Sequence, residues 1–185
     1  RQVGAVLEVL EELGVLDRFA ILFHSDHGEM NGNHGQWGKG CALEHSARVP
    51  LIVSDPSRLP AGQVVDTPVS TVDVFPTLCD LAGLDTPPDL RGRSLCPLAE
   101  ADDPAAAYAE RAVISEFFGF GGGWVMARRG DAKLVSYFDD GDEALPPQLF
   151  DLSADPDELH DLAGDPAWAD VRQSLQAEVD ALPEP

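Results

Sequence analysis

Two short stretches hold residues that could do chemistry together. The first is Ser25-Asp26-His27-Gly28-Glu29, where a carboxylate stands beside an imidazole. A carboxylate oxygen with an imidazole nitrogen suits a hard or borderline divalent ion such as Ca²⁺, Mn²⁺ or Zn²⁺. Adjacent side chains on a regular strand point to opposite faces, so both reach one ion only if the chain turns here, and Gly28 permits that turn. Two ligands do not complete a coordination sphere; the others must come from elsewhere. Taken alone, Asp-His-Gly also reads as an aspartate cap beside a hydrogen-bonded histidine. The second stretch, Trp37-Gly38-Lys39-Gly40, lies in the same segment. A lysine between glycines can approach a tetrahedral oxyanion closely, and its ammonium is a compact donor for one. The competing reading is an exposed surface lysine, but the chain has only two lysines, Lys39 and Lys133.

The elements that must position these residues follow from periodicity. Val3, Val6, Leu7, Leu10 and Leu13 form one helical stripe that Gly14 ends. Phe19 to Phe23 is a continuous apolar run, the pattern of a strand covered on both faces. Asp26 and His27 then stand at the C-terminal end of a strand, where open α/β sheets bind ligands. Residues 28–46 form a glycine- and asparagine-rich loop, long enough to be functional or disordered. Val49 to Val53 reads as a second buried strand, and Val72 to Leu81 as a short helix capped by Ser70 or Thr71 with Pro76 in its first turn. The proline-rich stretch 86–104 reads as a crossing segment. Beyond it the style changes. Residues 112–117, 124–127, 134–138 and 148–152 read as short strands between Gly and Asp-Gly turns. A last helix runs from about Pro166 to Leu182, with Asp165 as its cap. The expectation is an α/β protein in two parts. Residues 1–104 would form a partial, mostly parallel sheet with flanking helices, and residues 105–185 a small antiparallel sheet packed with a C-terminal helix.

Composition narrows the partners. The net charge is −21, from 33 acidic and 12 basic residues among 185. Such a surface repels nucleic acid and anionic lipid, yet one local cation can reverse the potential inside a pocket and admit an anionic substrate. The acidic, lysine-poor composition fits a salt-adapted source and equally a GC-rich genome with an acidic tail. No apolar run reaches the roughly 18 residues of a membrane span. Cys41, Cys79 and Cys96 show neither CxxC nor zinc-finger spacing, and an odd, sparse set argues against a disulfide scaffold. Arg1-Gln2-Val3 already reads as the inside of a helix, so further chain upstream is expected. Compartment and oligomeric state are left open.

The ordered string from Phe23 to Val53, FHSDHGEMNGNHGQWGKGCALEHSARVPLIV, resembles the sulfatase family of the alkaline-phosphatase superfamily. That family carries a strand, then Ser-Asp-His-Gly or Ser-Asp-Asn-Gly, a loop of Gly-x-x-Gly-x-Trp-x-Lys character, and Glu-x-x-x-Arg-Val-Pro-Leu-Ile. Val69 to Gly83, Gly92-Arg93-Ser94-Leu95, Lys133-Leu134-Val135, Leu149 to Leu152 and Asp155 to Glu158 are also similar to it. His27 in place of Asn is similar to the choline-sulfatase, iduronate-sulfatase and phosphonate-monoesterase branches. The resemblance implies Asp26 and His27 as metal ligands and Lys39 as the lysine that contacts sulfate and nucleophile. It implies a substrate-facing loop containing His34 and Trp37, and a structural ion pair between Glu44 and Arg48. It also implies a divalent cofactor, calcium foremost and manganese second, and a small-molecule or saccharide sulfate ester as substrate.

The family nucleophile is a formylglycine made within Cys-x-Pro/Ala-x-Arg, or from serine in its place, and none of the three cysteines fits. Cys41 precedes Ala-Leu-Glu-His, Cys79 precedes Asp-Leu-Ala-Gly, and Cys96 precedes Pro-Leu-Ala-Glu. The nucleophile, the paired aspartates that complete the metal site and the acid that protonates the leaving group are expected upstream. The chain is therefore expected to be the C-terminal part of a sulfatase, inactive by itself. The alternatives are a phosphonate or phosphate ester hydrolase on the same scaffold, or a non-catalytic truncated remnant.

Overall fold

A computed structural model describes residues 2–119, 121–141 and 143–183. The chain forms two compact units: residues 1–25, 50–66 and 71–107 in one, and residues 26–49, 67–70 and 108–185 in the other.

The first unit begins with helix α1, Gln2–Glu12. It ends where Gly14 takes φ +64°, letting the Gly14 and Val15 amides donate to the Glu11 and Leu10 carbonyls at 2.9 and 3.0 Å. Strands β1 (Ile21–His24) and β2 (Leu51–Ser54) pair antiparallel, Ile21 opposite Ser54 and His24 opposite Leu51. The mostly parallel sheet expected from the apolar runs is not what the described strands form, and neither strand is buried on both faces. Phe23 and Ile52 are exposed, as are Val3, Val6 and Leu13 of α1. An apolar run records that a strand is suited to burial; it does not say which partner lies beside it.

The interior of this unit is built around helix α3, Val74–Leu81. A 3₁₀ turn, Thr71–Asp73, leads into α3, whose cap position is held by Asp73 without a side-chain capping bond. The buried Asp73 carboxylate instead accepts the Arg93 amide at 2.9 Å, and the Thr77 hydroxyl accepts the Leu95 amide at 2.9 Å. Gly92 passes so close that an added Cβ would lie 2.0 Å from the Val72 carbonyl oxygen, so only glycine fits there. Arg58 bridges Asp80 and Glu100, each at 2.6 Å. The Ser94 hydroxyl also donates to Asp80. The Gly92 to Leu95 stretch is thus clasped against α3 and leads into helix α4, Cys96–Glu100, where Cys96 and Leu98 are buried. Cys79 is buried too. The next helix, α5, spans Pro104–Tyr108.

The second unit holds helix α2, Glu44–Ala47, and a four-stranded antiparallel sheet in the order β3 (Val113–Gly119), β4 (Gly122–Arg129), β5 (Ala132–Phe138), β6 (Ala144–Asp151). At the β4–β5 turn Arg129 faces Ala132, and Gly130 takes the positive φ that a two-residue hairpin loop requires. On one face Ala127, Leu134 and Leu149 pack with Leu175 of helix α6, Ala169–Asp180. Each is nearly fully buried, worth about 1.5–3 kcal/mol for each leucine and about 0.8 kcal/mol for the single methyl of Ala127. The turn Pro166–Trp168 starts that helical segment, its cap Asp165 accepting the Ala167 amide at 2.8 Å. On the opposite face Trp124, Met126, Val135 and Phe150 pack with Ala42. The sheet is therefore sandwiched between α6 and the glycine-rich segment 26–49. Among the described residues no helix is long and apolar enough to cross a membrane.

Candidate active site

Asp26, His27 and Lys39 meet because the segment between them folds back on itself. Gly28 carries the first bend. Its amide donates to the Ser46 carbonyl at 2.7 Å, and an added Cβ would lie 2.1 Å from the His45 carbonyl oxygen. The loop then closes as a narrow turn, with the Met30 amide on the Gly38 carbonyl at 2.9 Å and the Gly32 amide on the Gln36 carbonyl at 2.8 Å. The Glu29 carboxylate accepts the Gly38 amide at 2.6 Å. Asn31 and His34 take positive φ of 50° and 52°, a conformation uncommon outside glycine that asparagine tolerates best. The base of the turn is tied to the sheet, where the Trp124 indole N–H donates to the Gly40 carbonyl at 2.8 Å and the Trp124 ring stacks on Phe117.

Lys39 Nζ consequently lies 2.5 Å from His27 Nε2, and Asp26 Oδ2 lies 3.4 Å from the same nitrogen. His27 Nδ1 is 2.8 Å from the Gly28 carbonyl, which can only accept, so Nδ1 carries the proton and donates. The Nε2 lone pair therefore faces the Asp26 carboxylate and the Lys39 ammonium, and Lys39 donates to it. A backbone carbonyl that fixes one ring nitrogen is the usual way a metal-ligating histidine is oriented. Desolvation pushes the Asp26 carboxyl up, but the His27 ring, backbone N–H groups and the Lys39 ammonium outweigh it and hold the group below the usual carboxylate range. The anionic oxygen and the imidazole nitrogen stand side by side, as two ligands of a divalent ion would, and such an ion would take the Nε2 lone pair in place of the Lys39 ammonium. Among the described residues no group of three or more His, Cys, Asp and Glu could hold a metal.

His34 and Trp37 occupy the outer part of the turn. The His34 ring meets His45 edge-on, with centroids 6.3 Å apart, and the Trp37 ring lies against Gly32 with 79% of its surface exposed. These proximities tie both rings to their own turn and to His45 of α2. The ion pair expected between Glu44 and Arg48 is made differently. Glu44 pairs with Arg128 and Lys133, both at 3.0 Å, because its position at the start of α2 faces β4 and β5. Lys133 is fully buried and also lies 2.6 Å from Glu158 Oε1. Sequence reasoning missed this cluster. The available signals were that Lys133 is one of only two lysines, in a strand rich in apolar residues, and that Lys133-Leu134-Val135 and Asp155 to Glu158 are both family-like stretches.

With this geometry in place, comparison with known proteins identifies the lineage. The family model for N-sulphoglucosamine sulphohydrolase, C-terminal, matches residues 32–184, which includes Lys39 and begins just after Asp26 and His27. Arylsulfatase K of Xenopus laevis is 38% identical over 168 residues, covering 87% of this chain and 31% of the relative, so the chain spans less than a third of that protein's length. Among solved structures, the phosphonate monoester hydrolase of Agrobacterium radiobacter aligns with a TM-score of 0.82 and 32% identity, over 97% of this chain and 38% of the other. BT4656, solved in complex with its substrate D-glucosamine-2-N,6-O-disulfate, aligns with a TM-score of 0.79 and 29% identity, over 96% and 36%. The bent Ser-Asp-His-Gly segment, the returning lysine and these matches agree: the chain belongs to the N-sulphoglucosamine sulphohydrolase C-terminal family and is a C-terminal sulfatase part of the alkaline-phosphatase-like superfamily.

Proposed function

We propose that this chain supplies the C-terminal share of a sulfatase active site that hydrolyses a sulfate ester to alcohol and sulfate. The observation that carries the reading is the contact of Lys39 Nζ with His27 Nε2 at 2.5 Å, beside the Asp26 carboxylate. Asp26 and His27 would hold a divalent ion, calcium in the first instance and manganese in the second. When bound, such an ion polarises the sulfate and favours the nucleophilic oxyanion. Lys39, freed from His27 Nε2 when the ion binds there, would stabilise charge on the transferring group. Trp37 offers an exposed aromatic face, and His34 a ring on the same turn, to the alcohol side of the substrate. A saccharide sulfate is the preferred class, in keeping with the disulfated glucosamine bound by BT4656.

The chain has no cysteine in the formylglycine context, so the nucleophile, the remaining ligands and the acid for the leaving group would come from preceding chain, and the 185 residues alone would be inactive. Residues 1–104 would then complete the catalytic α/β domain, whose mostly parallel sheet takes β1 and β2 as members and covers the exposed stripe of α1. Residues 105–185 would be its small C-terminal subdomain. A phosphonate or phosphate ester hydrolase is the second reading, favoured by the structural match to the Agrobacterium phosphonate monoester hydrolase. Both esters are tetrahedral anions. The deciding assay compares an aryl sulfate with an aryl phosphonate on the complete enzyme, together with mass spectrometry of the nucleophile. Preference for the sulfate with formylglycine present is expected; a large preference for the phosphonate with no formylglycine refutes the sulfatase reading.

A further inference from the structure

We propose that Lys133 is a positioning residue for the reacting centre, acting through Glu44 on the segment that carries His27 and Lys39; this rests on reading Asp26, His27 and Lys39 as that centre. Lys133 and Arg128 are cross-strand partners on β5 and β4, on the sheet face that meets segment 26–49 rather than α6. The Lys133 ammonium, with no exposed surface, lies 3.0 Å from Glu44 Oε1 and 2.6 Å from Glu158 Oε1. Glu158 Oε2 accepts the Glu44 backbone amide at 2.6 Å, and Arg128 Nη1 donates to Glu44 Oε2 at 3.0 Å. Glu44 is thus held by both carboxylate oxygens and by its own amide.

Two cations balance two carboxylates, and Glu158 Oε1, which has no hydrogen-bond partner among the described residues, relies on its ion contact with Lys133. Removing Lys133 strands the Glu158 carboxylate, whose side chain has no exposed surface. Glu44 opens α2, whose His45 and Ser46 carbonyls are the surfaces on which Gly28 turns. It also lies five positions after Lys39, with the intervening Gly40 carbonyl pinned by Trp124. The same clamp therefore fixes both ends of the His27–Lys39 contact. A surface ion pair would be too weak and too mobile for this role, whereas a buried one with several bonds has one geometry. Glu158, held at a positive φ of 55°, extends the clamp to the chain that follows β6.

The test is amide hydrogen exchange, read by NMR, on the 185-residue chain. Two variants are used: Lys133→Met, and the charge-balanced Lys133→Met/Glu158→Gln, which retains the Arg128–Glu44 pair and keeps the test readable if the single variant does not fold. The expected result is exchange about 10-fold faster or more at Gly28, Gly38 and Glu44, with Leu134 and Leu149 on the α6 face changed by less than about 3-fold. Equal acceleration on both faces would make Lys133 an ordinary stabilising residue and overturn the proposal, as would unchanged exchange in segment 26–49. In the complete enzyme, Lys133→Met should lower kcat about 10-fold or more while KM and metal content stay within about 3-fold. An active enzyme with unchanged kcat also overturns it. A wild-type enzyme inactive on every sulfate ester refutes the sulfatase reading instead, and the exchange pattern still decides whether Lys133 holds the segment.

Discussion

Replacing Gly28 by alanine tests whether the bend at the site is as tight as the structure draws it. The new Cβ would stand 2.1 Å from the His45 carbonyl oxygen, 3.0 Å from its carbon and 3.2 Å from the Ser46 oxygen. An ordinary C···O contact needs about 3.3 Å, so one backbone must withdraw by roughly 1 Å. The obstacle is main chain and cannot rotate away. Ser46 is buried and Glu44 is clamped, so α2 has little room to retreat. Withdrawal of the loop stretches the 2.7 Å bond from the Gly28 amide to Ser46. Overpacking of this kind costs about 1–3 kcal/mol and the lost hydrogen bond about 1 more. The sum, about 2–4 kcal/mol, lowers the folded-to-unfolded ratio roughly 30- to 700-fold. All three tryptophans, Trp37, Trp124 and Trp168, lie in the same compact unit, so urea denaturation followed by fluorescence reports on it. Gly164→Ala is the control. Nothing lies within 4 Å of its added Cβ, so it should change stability by less than about 1 kcal/mol. If the loop yields locally, exchange at the residue-28 amide rises in place of a global loss. A Gly28→Ala variant with both its denaturation midpoint and that exchange rate unchanged would refute the argument.

Trp124→Phe keeps most of the buried ring but deletes the donor to Gly40, so it should cost about 1–2 kcal/mol in denaturation followed by circular dichroism. A neutral result would show that the Gly40 carbonyl is not pinned. Asp26→Ala in the complete enzyme should abolish turnover through loss of metal, measured by elemental analysis, with only partial rescue by added divalent ion; normal metal content would remove Asp26 from the ligand set. Burial pushes the Tyr137 phenol up to about 12 from 10.0, with Cys41 and Glu158 adding to the shift. Because the folded value is the higher one, the associated stability is fully present below pH 10 and is lost as pH rises toward about 12. Stability measured across that window should fall with pH, and Tyr137→Phe should flatten the fall; an unchanged slope would refute the assignment.

Local chemistry made much of this protein legible from its sequence. The stop at Gly14, the Asp165-Pro166 start of the last helix and the existence of four strands follow the propensity and turn signals, which act over a few neighbouring residues, although β6 begins at Ala144, four residues before its expected start. The Asp26, His27 and Lys39 candidates were visible as residue types at a spacing, and the glycines between them allowed a return of the chain. Three things were decided only by tertiary structure. Strand pairing was one: an apolar run shows suitability for burial, and β1 and β2 pair antiparallel with one another. The partner of Glu44 was another, since the choice among Arg48, Arg128 and Lys133 depends on which residues face α2 across 84 and 89 positions of chain. The third was the cover of the small sheet. The strands were legible as strands, but only packing reveals that α6 covers one face of β4 and β5 and the site segment the other. That arrangement is long-range, set by shape and by a buried charge cluster whose members are unremarkable when read singly along the chain.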